Sequence, residues 1–118
     1  MKVKENKVLE LLQRSQEEGL YLDLLQQLQK DFLLANCNIK LEVAISFQNL
    51  SVLVKEKLYV LLMERFDEYL NLLYVIDVPE HELRQIDAMD AVEVAEQVSF
   101  FVLERELQKV RSKRRYGN

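Results

Sequence analysis

The chain has one cysteine, one histidine, one proline, two glycines and no tryptophan among its 118 residues, and each scarcity removes a class of chemistry. Cys37 alone cannot form an internal disulfide, and one cysteine with one histidine cannot supply the four ligands of a structural zinc site. A di-iron bundle needs Glu-x-x-His motifs on facing helices, and none is present. With glycines only at positions 19 and 117, neither GxxxxGK[S/T] nor GxGxxG can occur, which excludes the common phosphate-cradling loops. Histidine acid–base chemistry would have to use His81, which falls in the first turn of an expected helix, where the helix dipole disfavours its cation; it reads as a surface residue. Cys37 has only Lys40 near it in sequence, which does not make a reactive thiolate. The acidic pairs Glu64 with Asp67 and Glu93 with Glu96 can in principle hold magnesium, but on amphipathic helices such pairs usually form a solvated face. No catalytic residue, metal or cofactor is therefore expected, and the chain reads as non-enzymatic. A ligand pocket between helices is the one alternative that composition leaves open.

What is present is apolar and helix-forming. Hydrophobic residues make up 49% and charged residues 31%, so one core can form, and the shortage of turn-formers means few turns. The expected fold is all-α, a single helical domain over 1–118: a four- to five-helix bundle with a long central helix and one extended connector at about 39–47. No apolar segment follows the basic N-terminus as in a secretory signal. The longest apolar stretch is interrupted by Lys55, Glu56, Lys57 and by Glu64, Arg65, Asp67, Glu68, whereas a membrane span needs about twenty predominantly apolar residues. The expected setting is the cytoplasm, without a membrane.

Periodicity places the elements. A first helix over about Val3 to Glu18 puts Val8, Leu11 and Leu12 on one face, and Gly19 ends it. Leu20 to Leu34 follows with Tyr21, Leu24, Leu25, Leu28 and Phe32 at helical spacing, closed by Asn36, Cys37 and Asn38. From Ile39 to Phe47 strict alternation signals extended backbone. A lone strand would leave its edges unpaired, so a connector laid over helices is the favoured reading and strand exchange between two subunits its functional variant. Asp77-Val78-Pro79-Glu80 reads as a helix start of the capping-box kind, leading a short helix to about Ile86. Asp87 to Asp90 offers a second cap, before a long last helix with Ala91, Val94, Ala95, Val98, Phe101, Val102 and Arg105 on its main stripe.

The central helix carries most of the functional signal. Of the twenty-seven residues from Leu50 to Ile76, eighteen are apolar or tyrosine, more than one helix face requires. One stripe runs through Leu58, Leu61, Leu62, Tyr69, Leu72, Leu73 and Ile76, and a second through Tyr59, Val60, Met63, Phe66, Leu70 and Tyr74. Two sides of this helix need covering, and a short chain has little with which to cover both. The expectation is a helical protein–protein interaction module that self-associates, most simply as a homodimer. Tyr59, Met63, Phe66, Tyr74 and Phe100 are of the residue types enriched in such interfaces, and Phe100 falls off the main stripe of its helix, the best single candidate for an exposed contact.

Charge suggests an alternative. Residues 51–108 hold five basic and thirteen acidic side chains, while the basic C-terminal tail, 109–118, holds five basic and no acidic ones. Lys109, Arg111, Lys113, Arg114 and Arg115 could neutralise a nucleic-acid or ribosomal phosphate backbone, with Tyr116 stacking on a base. The same cations also favour a helix C-terminus, and the acidic body repels phosphates.

At Ser46-Phe47-Gln48-Asn49-Leu50, and over the block from Glu56 through Pro79-Glu80, the chain resembles small, all-helical bacterial proteins of unknown function. That resemblance covers about the C-terminal two thirds, carries no catalytic motif and implies a bacterial cytoplasmic setting.

Overall fold

The computed structural model describes residues 5–116, with side chains from residue 7 onward; the expected start at Val3 and the last two residues of the 109–118 tail lie outside it. Six helices follow one another: α1 (Glu5–Glu17), α2 (Tyr21–Leu34), α3 (Phe47–Glu64), α4 (Phe66–Ile76), α5 (Glu80–Leu83) and α6 (Ala91–Arg115). The fold is all-α, with no strand among the described residues.

Three left-handed residues make the corners. Gly19 closes α1 at φ 71°, with Leu20 N–H donating to the Ser15 carbonyl and Gly19 N–H to that of Gln16. Asn36 closes α2 at φ 61° with the same pair of bonds, Cys37 to Phe32 and Asn36 to Leu33. Asp77 does so for α4 at φ 70°, through Val78 to Leu73 and Asp77 to Tyr74. A Cβ at Gly19 would meet nothing within 4 Å, so only its backbone angle restricts substitution. Gly19→Ala should therefore cost about 1 kcal/mol, the left-handed penalty alone, measured as a lower urea midpoint with an unchanged m-value.

Asp77 thus terminates one helix instead of capping the next, and α5 begins after Pro79 with no side-chain cap. Asp90 does cap α6, accepting from Glu93 N–H at 2.9 Å, while Glu93 accepts in return from Met89 N–H at 3.0 Å. Ser46 likewise caps α3, accepting from Asn49 N–H. Between α2 and α3 the expected connector is neither helix nor strand, with a turn at 43–44. Ile39 is buried, Leu41, Ile45 and Phe47 pack against the core, and Val43 points out, so the alternation records a segment lying along helices. Tyr21 holds it there: its hydroxyl donates to the Ile45 carbonyl at 2.8 Å, and its ring meets Phe47 edge-on at 5.1 Å.

The central helix is not continuous. It breaks at Arg65, whose backbone leaves the helical region at φ −142°, ψ 61°, with neither glycine nor proline to force it. A straight rod from Phe47 to Ile76 would be about 45 Å long. The whole molecule extends 39 Å along its longest axis, so such a rod would carry its last turns off the core. The break folds α4 back against α2 and α6, which buries Tyr69, Leu72, Leu73 and Ile76. Helix α6 runs through the centre and touches each of the other five helices. It supplies Ala95, Val98, Val102, Leu103, Leu107 and Val110 to one continuous core that also holds Leu12, Leu24, Leu28, Phe32, Leu50, Val54 and Leu58.

Candidate functional site

Once the core is filled, a row of apolar side chains is left over on its outer side. Tyr59, Val60 and Met63 of α3 and Phe66, Leu70 and Tyr74 of α4 all reach solvent, Met63 57%, Phe66 52% and Tyr74 83% exposed. The spacing explains the row: Tyr59 and Met63 are four apart, as are Phe66, Leu70 and Tyr74, so each set shares one helix face. Val54, Leu58 and Leu61 on α3, and Tyr69, Leu72 and Ile76 on α4, take the opposite, buried faces. Phe66 is braced by stacking on Tyr69, ring centroids 5.7 Å apart, and burial pushes the Tyr69 phenol up to about 12. Beside the row, a groove of about 440 Å³ lies between α3 and the start of α6, lined by Lys55, Glu56, Tyr59, Val60, Val92 and Ala95.

Four of the five nominated interface residues, Tyr59, Met63, Phe66 and Tyr74, fall in this row. Phe100 does not. It is half-buried against the core and meets Phe101 edge-on at 5.7 Å, because α6 is surrounded by helices and its flanks are covered as well as its main stripe.

The basic segment is not a free tail. Through Arg115 it is the last turns of α6, and its cations run along α2 in antiparallel register. Lys109 pairs with Asp31, Lys113 donates to the Gln27 side chain, and Arg114 pairs with Asp23 at 3.0 Å, so later positions on α6 meet earlier positions on α2. Arg111 grips Glu18 with two bonds of 2.9 and 2.6 Å, and this guanidinium holds the Glu18 carboxyl below the usual carboxylate range. Arg115 and Tyr116 reach solvent. Of the five cations nominated for phosphate backbone, Lys109, Arg111 and Arg114 already have internal acidic partners.

Where α2, α4 and α6 meet, two carboxyl groups sit in the interior. Glu106 is 0% and Asp31 3% exposed. Lys109 Nζ lies 2.5 Å from Asp31 Oδ2 and donates also to the Ile76 carbonyl at 3.2 Å; Gln27 Nε2 donates to Asp31 Oδ1 at 3.2 Å. The ammonium is 3.4 Å from Glu106 Oε1, within ion-pair range, but it is aimed elsewhere, and neither Glu106 oxygen receives a hydrogen bond from an N–H donor. Burial, then the adjacent Asp31, pushes the Glu106 carboxyl up to about 9. At Asp31 burial acts upward, but the neighbouring Glu106 carboxyl and the Lys109 and Gln27 donors outweigh it and leave that group below its ordinary value. Sequence reasoning missed this cluster by placing Arg105 on the buried stripe. Arg105 instead reaches out to the Asp77 carbonyl and carboxylate, and Glu106 is the inward residue. The signal was legible, an acid spaced with Val102, Leu103, Leu107 and Val110 on an apolar face.

His81 is exposed on the short α5. Cys37 is a buried free thiol whose titration burial raises, away from nucleophile range. Among the described residues no group of three or more His, Cys, Asp or Glu side chains is placed to hold a metal ion, and no described helix is long and apolar enough to cross a membrane. No protein-family model, curated protein or solved structure matches the chain.

Proposed function

We propose that this chain is a non-enzymatic helical interaction module that self-associates through the apolar row of α3 and α4. The observation that carries the reading is the row itself, six large apolar side chains between Tyr59 and Tyr74 left in solvent by a chain whose core is already filled. A monomer exposes single apolar residues freely, but large apolar side chains gathered within a short stretch of exposed helix favour an interaction site.

A second copy of this chain fits the charges beside the row. Lys57 and Glu64 are seven residues apart, and so lie on the same flank of α3. An antiparallel two-fold pairing sets like flanks against each other in reverse order. Lys57 of each copy then meets Glu64 of the other, about a centre near Tyr59, Val60 and Met63. A parallel pairing would not bring these two positions together. A cytoplasmic setting accompanies the proposal, consistent with a lone, unpaired thiol at Cys37.

Light scattering across protein concentrations tests the reading. The wild-type chain should reach a dimer mass, and Phe66→Glu or Tyr74→Glu should return it to a monomer with unchanged helical circular dichroism, because both side chains are exposed within one copy. Lys57→Glu should weaken the dimer, and adding Glu64→Lys should restore it. A wild-type mass that stays monomeric at every concentration would reject self-association; a dimer indifferent to all these changes would place the interface elsewhere.

A further inference from the structure

We propose that Glu106 is held as a neutral carboxylic acid that donates its proton to Asp31, making the junction of α2, α4 and α6 a clasp that closes only while that proton is kept. Geometry requires a proton somewhere in the cluster. Two carboxyl groups 2.5 and 3.4 Å from one ammonium, both more than nine-tenths buried, cannot both carry charge beside it without one remaining uncompensated. Asp31 has the better anion site, with Lys109 and Gln27 both donating to it. Glu106 receives no N–H donor at either oxygen. A carboxylate there would be desolvated with only an off-axis ammonium for company, whereas a carboxylic acid turns the absence of donors into an advantage by donating one bond itself. The proton therefore belongs on Glu106 and points to Asp31.

The charged and titratable groups acting on Glu106 are few. From α2 there is Asp31, with neutral Gln27 beside it; from α6 itself there is Lys109; and α4 contributes the Ile76 backbone carbonyl, which shares the Lys109 ammonium. The clasp joins three helices, and it anchors the start of the basic ladder that continues through Lys113 and Arg114 along α2.

The direction of the pH effect follows from linkage. In the unfolded chain Glu106 loses its proton near the ordinary value of 4.5; in the folded chain it keeps it up to about 9. Between these limits the folded state binds one more proton than the unfolded state, so the contribution to stability is complete below the lower limit and is lost as pH rises towards the upper one. Asp31 acts oppositely: lowered from 3.8, it contributes stability that is lost in acid, as pH falls through its depressed value.

Urea unfolding of the wild-type chain and of Glu106→Gln across this window is the test, because glutamine keeps the shape and a neutral N–H donor towards Asp31 but cannot ionise. One extra bound proton makes the unfolding equilibrium constant rise about tenfold per pH unit. The wild-type slope should exceed that of Glu106→Gln by this amount, and equal slopes would overturn the clasp. Infrared spectroscopy of the wild-type chain gives a reading that needs no stable variant. A protonated-carboxyl stretch should be present at neutral pH and vanish in strong alkali. Glu104→Gln should leave that band in place, a needed control because burial and Glu82 also raise the Glu104 carboxyl. Absence of the band at neutral pH, or its loss in Glu104→Gln, would show that Glu106 is ionised and the proposal wrong.

Discussion

Lys109→Met should lower the stability of the folded chain by about 3 kcal/mol, the loss expected when one member of a buried ion pair is removed, set at the low end because the lysine side chain keeps 20% exposure. Methionine preserves the unbranched stem that packs over α2, so the loss reports on the ammonium and not on a cavity. Asp31 would be left with Gln27 and Glu106 as donors, and the Ile76 carbonyl would lose its side-chain donor altogether. Denaturant unfolding at neutral pH checks this. A change below about 1 kcal/mol would place the pair in the class of solvated surface bridges, and the burial of Asp31 would then have to be relieved by motion of α6.

Phe32→Ala should be at least as damaging, about 3–5 kcal/mol, because Phe32 is completely buried and its removal opens a cavity on top of the lost transfer energy. Small domains have about 5–15 kcal/mol in total, so this one truncation should remove about a fifth of the stability or more. The instructive comparison is Tyr74→Ala. Tyrosine is as large an aromatic as phenylalanine, yet Tyr74 is 83% exposed, and its truncation should change the stability of a single copy by no more than about 0.5 kcal/mol. Unfolding at low protein concentration measures both. Similar losses at the two positions would mean that Tyr74 is covered in solution even in the dilute chain. A loss at Phe32 below about 1 kcal/mol would mean that the core around it collapses to fill the gap.

The contrast between those two aromatics also marks how far sequence reading reaches. Helical spacing alone separated Leu58, Leu61 and Leu72 from Tyr59, Met63 and Tyr74, since residues a whole number of turns apart must share a face. It could not say which set would be buried, because both are apolar and only the positions of other helices decide. Helix ends were legible where Gly19, Asn36 and Asp90 act through their own backbone or their immediate neighbours. They were misread at Asp77, a residue whose local chemistry suits both a cap and a left-handed terminus. The basic end of α6 shows the same limit: Lys109, Arg111 and Arg114 look like a free cationic tail until Asp31, Glu18 and Asp23, about 80–90 residues earlier, are brought against them.

By itself, then, the order of residues determined the all-α class, the helix ends marked by left-handed or capping residues, the non-helical connector at about 39–47, and the two stripes of the central segment. Each rests on interactions within a few residues, a helical turn or a cap, whose energies are decided locally. Tertiary structure alone decided the break at Arg65, the half-burial of Phe100 and the exposure of the row from Tyr59 to Tyr74. These depend on fitting the apolar faces of several helices around α6 within a body 39 Å long. The free energy of closing that core exceeds the local preference of any single residue, so backbone at Arg65 leaves the helix and a carboxyl group at Glu106 is taken inside.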